Sequence, residues 1–184
     1  MGAKNVKKNY NFGGVDYLNG INCNRRGHCA ADKTLTEGKL TIATGNPAYF
    51  PWVIDDAPES GQGFEAAVAY AVAKEMGFSD SDVVWVRSSF DEAIQPGAKN
   101  FDFNMQQYSI TPERDEIVDF SAPYFTAPMA VLVGPGAVDT AGTMAALKGL
   151  KWGASGSHTS VQKLMNDIRP TSDPLLYADN ADIN

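Results

Sequence analysis

The sequence predicts an α/β protein in which helices cover the faces of a parallel sheet. The main observation is that short apolar stretches with the two-residue period of strands alternate with stretches of helical period from Lys39 onward. The second is size and composition, since the chain has 184 residues and 43% of them are hydrophobic. A chain of this length can form one large domain or two small ones, and it can bury a substantial core.

Three strands and two helices are predicted in the first half of this pattern. Strand periodicity occurs at 40–44, 83–86 and 101–105. Helical spacing runs over 64–76, and Gly77 ends that helix. Its apolar positions at helical spacing are Phe64, Ala67, Val68, Ala71, Val72 and Met76. A second, short helix spans 90–94 and is stopped by Pro96 and Gly97.

The second half continues the alternation. Strands are predicted at 127–133, 151–154 and 175–177, and helices at 143–147 and 159–167. Asn180 is predicted to be the N-cap of one more helix. Residues 1–38 are rich in Asn, Gly, Lys and Arg without a sustained period, which predicts an irregular leader.

A helix start follows the third strand and contains an arginine. Thr111 is the predicted N-cap, Pro112 the first helical residue, and Arg114 lies in the first turn. The helix dipole disfavours a cation there by up to about 1 kcal/mol, so helix stability does not call for an arginine. Two interpretations stay open: the planar guanidinium of Arg114 receives a carboxylate, or it forms a surface ion pair with an acid at position 113, 115 or 116.

The segment 101–125 carries the motif of a known family. Ser109 begins the run S-I-T-P-E-R, and V-D-F-S at 118–121 and P-Y at 123–124 follow. These runs resemble the extracellular solute-binding proteins of family 3, the type II periplasmic binding proteins of amino-acid ABC importers. A first strand at 39–44, an aromatic loop at 46–52, a G-F-E helix start at 63–65 and the run L-K-G-L-K-W-G at 147–153 occur in the family's order. The resemblance covers the chain from about Lys39 to the C-terminus.

The resemblance implies the type II periplasmic-binding-protein fold, with two lobes that each contain a mainly parallel sheet flanked by helices. On this basis residues 1–38 are a leader, 39–130 form lobe 1, and 131–184 form the crossover and the first half of lobe 2. Family members continue beyond the position that matches Asn184. We therefore expect a truncated chain with an incomplete second lobe.

The resemblance also implies a carboxylate clamp. In it Arg114 binds the α-carboxylate of a ligand bidentately, helped by Ser109, and Gln107 offers a backbone contact. Thr159 lies where the second lobe presents N–H and hydroxyl groups to the same carboxylate. This chain departs from the family next to Thr159, because positions 157 and 158 hold Ser and His where Gly and Thr are usual.

An aromatic wall is the second part of the predicted site. Tyr49 and Trp52 lie in a proline-flanked loop, with Phe64 opposite, and they are expected to cover an apolar or cationic part of the ligand. For Phe64 the position at a helix start favours core packing over ligand contact. Asn46 stands where several binders of basic amino acids carry an acid, so its neutral amide indicates a ligand with a polar or uncharged side chain.

Composition and the remaining motifs exclude several classes. The net charge of −7 argues against nucleic-acid binding, which requires clustered Lys and Arg. No apolar run approaches the roughly 20 residues that span a bilayer, and an export signal is absent from this chain. Cys23 and Cys29 form a disulfide, stay free, or hold a metal with His28, the last being disfavoured because structural zinc needs four ligands. No P-loop or dinucleotide motif occurs, so no cofactor is expected.

The resemblance implies a non-catalytic receptor that closes around an amino acid or similar small zwitterion. Such a receptor works in the periplasm or outside the cell and presents its ligand to an ABC permease in the membrane. One alternative is an enzyme on the same fold, because cyclohexadienyl and arogenate dehydratases resemble the family, and another is a sensory input domain. The residues add little support for catalysis. The run 153–157 lacks the last glycine of a nucleophile elbow, Glu65 is interpreted as a helix-start acid, and Asp119 as a turn residue.

Overall fold

The centre of the first sheet is β1 (Leu40–Thr44), all five residues of which are buried. It pairs in parallel with β2 (Val83–Arg87) on one side and with β3 (Phe103–Asn104) on the other. A strand that is buried on both faces is typical of a parallel sheet covered by helices. The structure is a computed structural model that describes residues 34–137, 141–178 and 180–183. The leader up to residue 33, with Cys23, His28 and Cys29, lies outside the described residues.

Helix α1 (Phe64–Glu75) covers this sheet with a face that differs from the predicted one. Its buried residues are Glu65, Ala66, Ala69 and Ala73, whereas Ala67, Ala71 and Val72 are exposed. The main core cluster contains Leu40, Ile42, Ala69, Ala73, Phe78 and Met105. The prediction was right for Val68 and Met76, which pack against this core, and wrong for the exposed positions. Alanine and valine occur all around this helix, so packing rather than the apolar pattern sets its rotation.

The third strand is shorter than predicted, although its neighbours stay extended beside β1. Asp102 N donates to Thr41 O at 2.8 Å, and Met105 N donates to Ala43 O at 2.9 Å. The carboxylate of Asp102 accepts hydrogen bonds from the backbone N–H groups of Leu35 and Thr41, both at 2.7 Å. Asp102 therefore fixes the start of β1, a role that its place in an alternating strand pattern did not indicate.

Two short helices, which follow β2 and β3, begin as predicted. Helix α2 (Phe90–Ile94) starts after Ser89, whose hydroxyl accepts from Glu92 N at 3.2 Å. Helix α3 (Pro112–Asp115) starts after Thr111, whose hydroxyl accepts from Arg114 N at 3.3 Å. These N-caps satisfy backbone donors that a helix start leaves without a partner in the helix.

The segment 127–133 is not a strand, and this prediction was wrong. Its residues are mostly exposed, and Leu132 is 91% exposed. Pro128 cannot donate to a ladder, and no strand within the described ranges pairs with this segment. An apolar sequence forms a strand only where a neighbouring strand completes its backbone hydrogen bonds.

A second sheet follows, made of β4 (Gly153–Ser155) and β5 (Leu175–Tyr177) in parallel. Helix α4 (Met144–Lys148) precedes β4 and is capped by the Thr143 hydroxyl. Helix α5 (Thr159–Lys163) follows β4 and continues as a π-helical turn, Leu164–Ile168, which together cover the predicted 159–167 helix. Short 3-10 helices occur at Ile54–Asp56, Pro58–Ser60, Asp80–Asp82, Pro135–Ala137 and Asn180–Ile183. In the described ranges every helix is too short or too polar to cross a membrane.

Candidate functional site

The candidate site lies where the loops after β3 and β4 meet. Ser109 is in the loop that connects β3 to α3, and Thr159 begins α5 just after β4. The Ser109 and Thr159 hydroxyl oxygens are 3.3 Å apart. Ligands of open α/β sheets bind outside the carboxyl ends of the strands, so the two sheets meet at a position suited to a ligand site.

Arg114 joins these two loops. Its Nη1 donates to Ser109 O at 2.9 Å, and its Nη2 donates to Ser157 O at 2.8 Å. Arg114 is buried, with 9% of its surface exposed. It forms no ion pair with any described residue, including its acidic neighbours at 113, 115 and 116. The surface ion-pair interpretation of Arg114 is therefore wrong.

Two aromatic rings, which pack against each other, lie beside the guanidinium. The Cζ atom of Arg114 lies 5.3 Å from the Phe90 ring centroid and 5.8 Å from that of Tyr108. The Tyr108 hydroxyl donates to Phe90 O at 2.6 Å, which holds the rings together at a centroid distance of 4.2 Å. Burial lowers the pKa of Arg114 and raises that of Tyr108, yet an arginine stays charged at physiological pH. The fork is thus held rigidly as a buried cation.

A cavity of about 150 Å³ opens beside Arg114. Its lining comes from both sheets' loops and consists of Phe90, Gln107, Ser109, Arg114, Met129, His158, Thr159 and Ser160. The structure thereby brings together Gln107, Ser109, Arg114 and Thr159, which the sequence placed in the carboxylate clamp. The space equals that of several waters, since a water occupies about 30 Å³ in the liquid.

Sequence reasoning missed the other side of this cavity. Phe90 appeared only as a helix start, and His158 only as a departure from the family motif. Their ring centroids lie 4.7 Å apart, with the ring planes tilted by 48°. Met129 belonged to the predicted strand at 127–133, but it lines the cavity and is 50% exposed. The sequence indicated this side of the cavity only through Ser89 and Phe90. There a helix-capping serine and an aromatic residue follow a predicted strand, in a loop position where binding residues are common.

The aromatic residues form a separate cluster, which we call the aromatic patch: Trp52, Phe64, Tyr124 and Phe125. The Trp52 ring centroid lies 5.8 Å from that of Phe64 and 5.1 Å from that of Phe125. Phe64 is 39% exposed, so the core-packing interpretation of this residue was wrong. The exposed Asn46 and the half-buried Tyr49 do not line the cavity, and their contact with a ligand stays a prediction.

Gly63 allows the start of α1 to approach Trp52. Its φ is +106°, and a Cβ atom at this position would lie 2.4 Å from Trp52 O. The backbone N–H of Glu65 donates to that same oxygen at 3.0 Å. The G-F-E run therefore needs glycine both for its backbone conformation and for the space beside the loop.

Glu65 is the largest departure from the sequence interpretation, which treated it as an ordinary helix-start acid. It is 1% exposed, and its carboxylate accepts from the backbone N of Gln107 at 2.9 Å. It also accepts from Gln107 Nε2 and from the Tyr124 hydroxyl. Burial raises the pKa of Glu65 above its ordinary value, and these hydrogen bonds, led by that from Tyr124, oppose the shift. No local pattern indicates this network, because its three residues are far apart along the chain.

Comparison with known proteins agrees with this geometry. Residues 40–175 match the family model of the bacterial extracellular solute-binding proteins, family 3. This chain belongs to that family. No curated protein matches this solute-binding chain by sequence.

Two solved structures resemble this family member. One is the ancestral amino acid-binding protein AncCDT-1, a precursor of cyclohexadienyl dehydratase, with 30% identity, a TM-score of 0.62, and coverage of 79% of this chain and 63% of that chain. The other is a Salmonella typhimurium periplasmic binding protein with high arginine specificity, with 26% identity, a TM-score of 0.57, and coverage of 79% and 62%. The chain thus spans less than two thirds of either protein's length. Family and structures confirm the predicted fold, the two-lobed α/β fold of type II periplasmic binding proteins.

Proposed function

We propose that this chain is the ligand-binding receptor of an ABC importer, capturing an amino acid or similar small zwitterion between two lobes. The observation that carries the proposal is Arg114, a buried cation that has no carboxylate partner among the described residues and borders a cavity between the two loops. A buried charge is costly unless it is paired, so a ligand carboxylate is the natural complement. The receptor would work in the periplasm or outside the cell, next to its permease.

The clamp has the donors that a carboxylate needs. A guanidinium carries five N–H groups, and the hydrogen bonds to Ser109 O and Ser157 O use only part of them. The hydroxyl groups of Ser109, Thr159 and Ser160 line the same cavity and add further donors. Charge-assisted hydrogen bonds of this kind are about twice as strong as neutral ones. The clamp would therefore recognise the carboxylate that all amino acids share.

Lobe closure is part of the proposed mechanism. Arg114 bonds to Ser157 O, and Ser109 approaches Thr159, so the clamp residues already link the two loops. A carboxylate bound between them would contact both lobes at once and favour the closed arrangement over the open one. Closure would present a defined surface to the permease.

We propose that the ligand has a neutral side chain. Among the described residues that line the cavity, none carries a carboxyl group. The side opposite the clamp is formed by Phe90, Met129 and the His158 ring that contacts Phe90. A cationic side chain would have no acid to pair with there, and burying an unpaired charge is unfavourable. This agrees with the expectation from Asn46 and differs from the ligand of the arginine-specific relative.

Catalysis is the second candidate function, because one similar structure is a precursor of cyclohexadienyl dehydratase. A dehydratase must protonate a leaving hydroxyl group, which requires a general acid. Among the described residues that line the cavity, His158 is the one whose side-chain type commonly serves as a general acid. Product formation from prephenate or arogenate by the purified chain, lost in H158Q, would favour catalysis over the receptor function.

The receptor function is tested with a panel of the twenty amino acids. Saturation-transfer NMR detects weak, millimolar binding but misses slowly dissociating ligands, so isothermal titration calorimetry is run on the same panel and its binding heats count as signals. We expect signals from amino acids with neutral side chains in the wild-type chain, and a tenfold or larger loss of affinity in R114K, since lysine keeps the charge but not the fork. R169K, a matched change at an exposed arginine, should bind as the wild type does. Absence of signals from the folded wild type, or equal binding by R114K, would contradict the proposal.

A further inference from the structure

Three donors from two distant segments converge on the Glu65 carboxylate. Oε1 accepts from the backbone N of Gln107 at 2.9 Å and from the Tyr124 hydroxyl, and Oε2 accepts from Gln107 Nε2. Glu65 itself is 1% exposed and does not line the cavity. A ligand in the cavity therefore does not contact Glu65, and any effect of Glu65 on binding must pass through its partners.

The first partner, Gln107, holds an unusual backbone conformation at the cavity. Its φ is +52°, in the left-handed region that non-glycine residues seldom adopt. Gln107 lines the cavity between β3 and the clamp residue Ser109. A non-glycine residue remains in such a conformation only where surrounding contacts hold it there. Glu65 provides those contacts, because it accepts from both the backbone and the side chain of Gln107.

The second partner, Tyr124, precedes the segment that leads from the first sheet to the second. Burial, and then the charge of Glu65, raises the pKa of Tyr124, so its hydroxyl stays protonated and donates. Tyr124 also contacts Phe64 in the aromatic patch, at a centroid distance of 6.2 Å. One carboxylate thus connects helix α1, the cavity loop and the chain between the sheets.

We propose that Glu65 is a positioning residue, which fixes the Gln107 backbone at the ligand cavity and links it to Tyr124 at the start of the inter-sheet segment. The effect on ligand affinity rests on the proposed receptor function, whereas the link between the three residues does not. Hydrogen-bond acceptance at position 65 is what the role requires. Negative charge is not required, because the Gln107 amide can turn over to match an amide at position 65.

The variants follow from that distinction. E65M keeps a side chain of similar length and removes every acceptor, so we expect at least a tenfold loss of affinity for the amino acid that binds the wild type best. E65Q can accept from the Gln107 backbone and Tyr124 through its oxygen and donate to the turned Gln107 amide. We expect its affinity within threefold of the wild type. E75M, an exposed position at the end of the same helix, is the matched control and should change nothing.

A ligand-free measurement makes the link testable by itself. The Tyr124 hydroxyl also lies against the backbone N–H of Gln107, so only the side-chain amide of Gln107, which donates to Glu65, reports on the connection through position 65. We expect Y124F to move the side-chain amide resonances of Gln107 in ¹H–¹⁵N spectra of the wild type and of E65Q. In E65M the same Y124F change should leave them in place, because the connection through position 65 is gone. A role in packing alone would not produce this dependence on an acceptor.

The outcomes separate the two proposals. If E65M binds as the wild type does, or if Y124F moves the Gln107 side-chain amide resonances equally in E65M and the wild type, Glu65 is not a positioning residue. If the wild type binds no amino acid, the receptor function fails and the Gln107 resonances alone decide the role of Glu65. If E65M does not fold, the effect of Y124F is measured in the wild type and in E65Q alone. Gln107 side-chain amide resonances that Y124F leaves unmoved in both would overturn the link.

Discussion

Replacing Arg114 by alanine tests the clamp by separating folding from binding. The change removes hydrogen bonds to Ser109 O and Ser157 O, each a charge-assisted bond of about 1.5–3 kcal/mol, and contacts with two rings of about 0.5–1 kcal/mol each. The buried cation's desolvation penalty disappears at the same time. Water from the adjacent cavity can satisfy the two carbonyl groups. We therefore expect a net loss of only about 1–3 kcal/mol in the free energy of unfolding.

The effect on binding is expected to be larger. Removing one partner of a buried, hydrogen-bonded charge pair costs about 2–5 kcal/mol. At 1.4 kcal/mol for each factor of ten, this corresponds to a loss of affinity between about 30-fold and several thousand-fold. R114A should thus be a folded protein that hardly binds its amino acid.

Urea unfolding followed by circular dichroism gives the stability, and isothermal titration calorimetry gives the Kd. K163A serves as the control because it also removes one positive charge, from an exposed pair in which Lys163 Nζ lies 2.7 Å from Asp167. An exposed pair of this kind contributes about 0.3–0.5 kcal/mol, so neither stability nor affinity should change much. A folded R114A whose Kd is within threefold of the wild type would refute the carboxylate role of Arg114.

Three further predictions follow from the same structure. Burial raises the pKa of Glu65 above its ordinary value of 4.5, so the contribution of this group to stability is full below pH 4.5 and is lost as the pH rises through the raised pKa. Urea unfolding should therefore show that the wild type loses stability relative to E65Q as the pH rises over that window. A gain of stability relative to E65Q would contradict this. G63A should lower the free energy of unfolding by about 1–3 kcal/mol, because of its φ of +106° and the contact with Trp52 O, whereas G134A, which has open space, should have little effect; equal stabilities would refute this. Amino-acid addition should change Trp52 fluorescence in a variant whose other tryptophans are phenylalanine, because the aromatic patch is connected to the cavity residue Gln107 through the hydrogen bonds of Tyr124 and Gln107 to Glu65. An unchanged spectrum would count against a connection between the aromatic patch and the site.

The parts of this fold that depend on residues close together in the sequence could be predicted from the sequence. Thr111 and Pro112 define a helix start by their own chemistry, and the structure has the helix at that position. The buried β1 follows from an apolar run of strand length. The resemblance of 101–125 to a family motif placed Ser109 and Arg114 together, and the structure has them hydrogen-bonded.

The parts that depend on tertiary contacts could not be predicted. Glu65 is buried because packing rotates the alanine-rich α1, and its partner Gln107 is distant in sequence. The contact between the Phe90 and His158 rings joins α2 to the loop after β4, so no local pattern indicates it. The segment 127–133 has the composition of a strand but no neighbour to pair with among the described residues.

The most direct test of the central claim asks whether Arg114 binds the α-carboxylate. The guanidinium Nε–Hε resonance of Arg114, assigned by its loss in R114K, is followed in ¹H–¹⁵N spectra while the best amino acid of the panel is added. The same amino acid with its carboxylate converted to a carboxamide is then added to a fresh sample. We predict that the carboxylate form moves the Arg114 resonance saturably, and that the carboxamide form binds at least tenfold more weakly. Equal binding of the two forms, or binding that leaves the Arg114 resonance unmoved, would contradict the account.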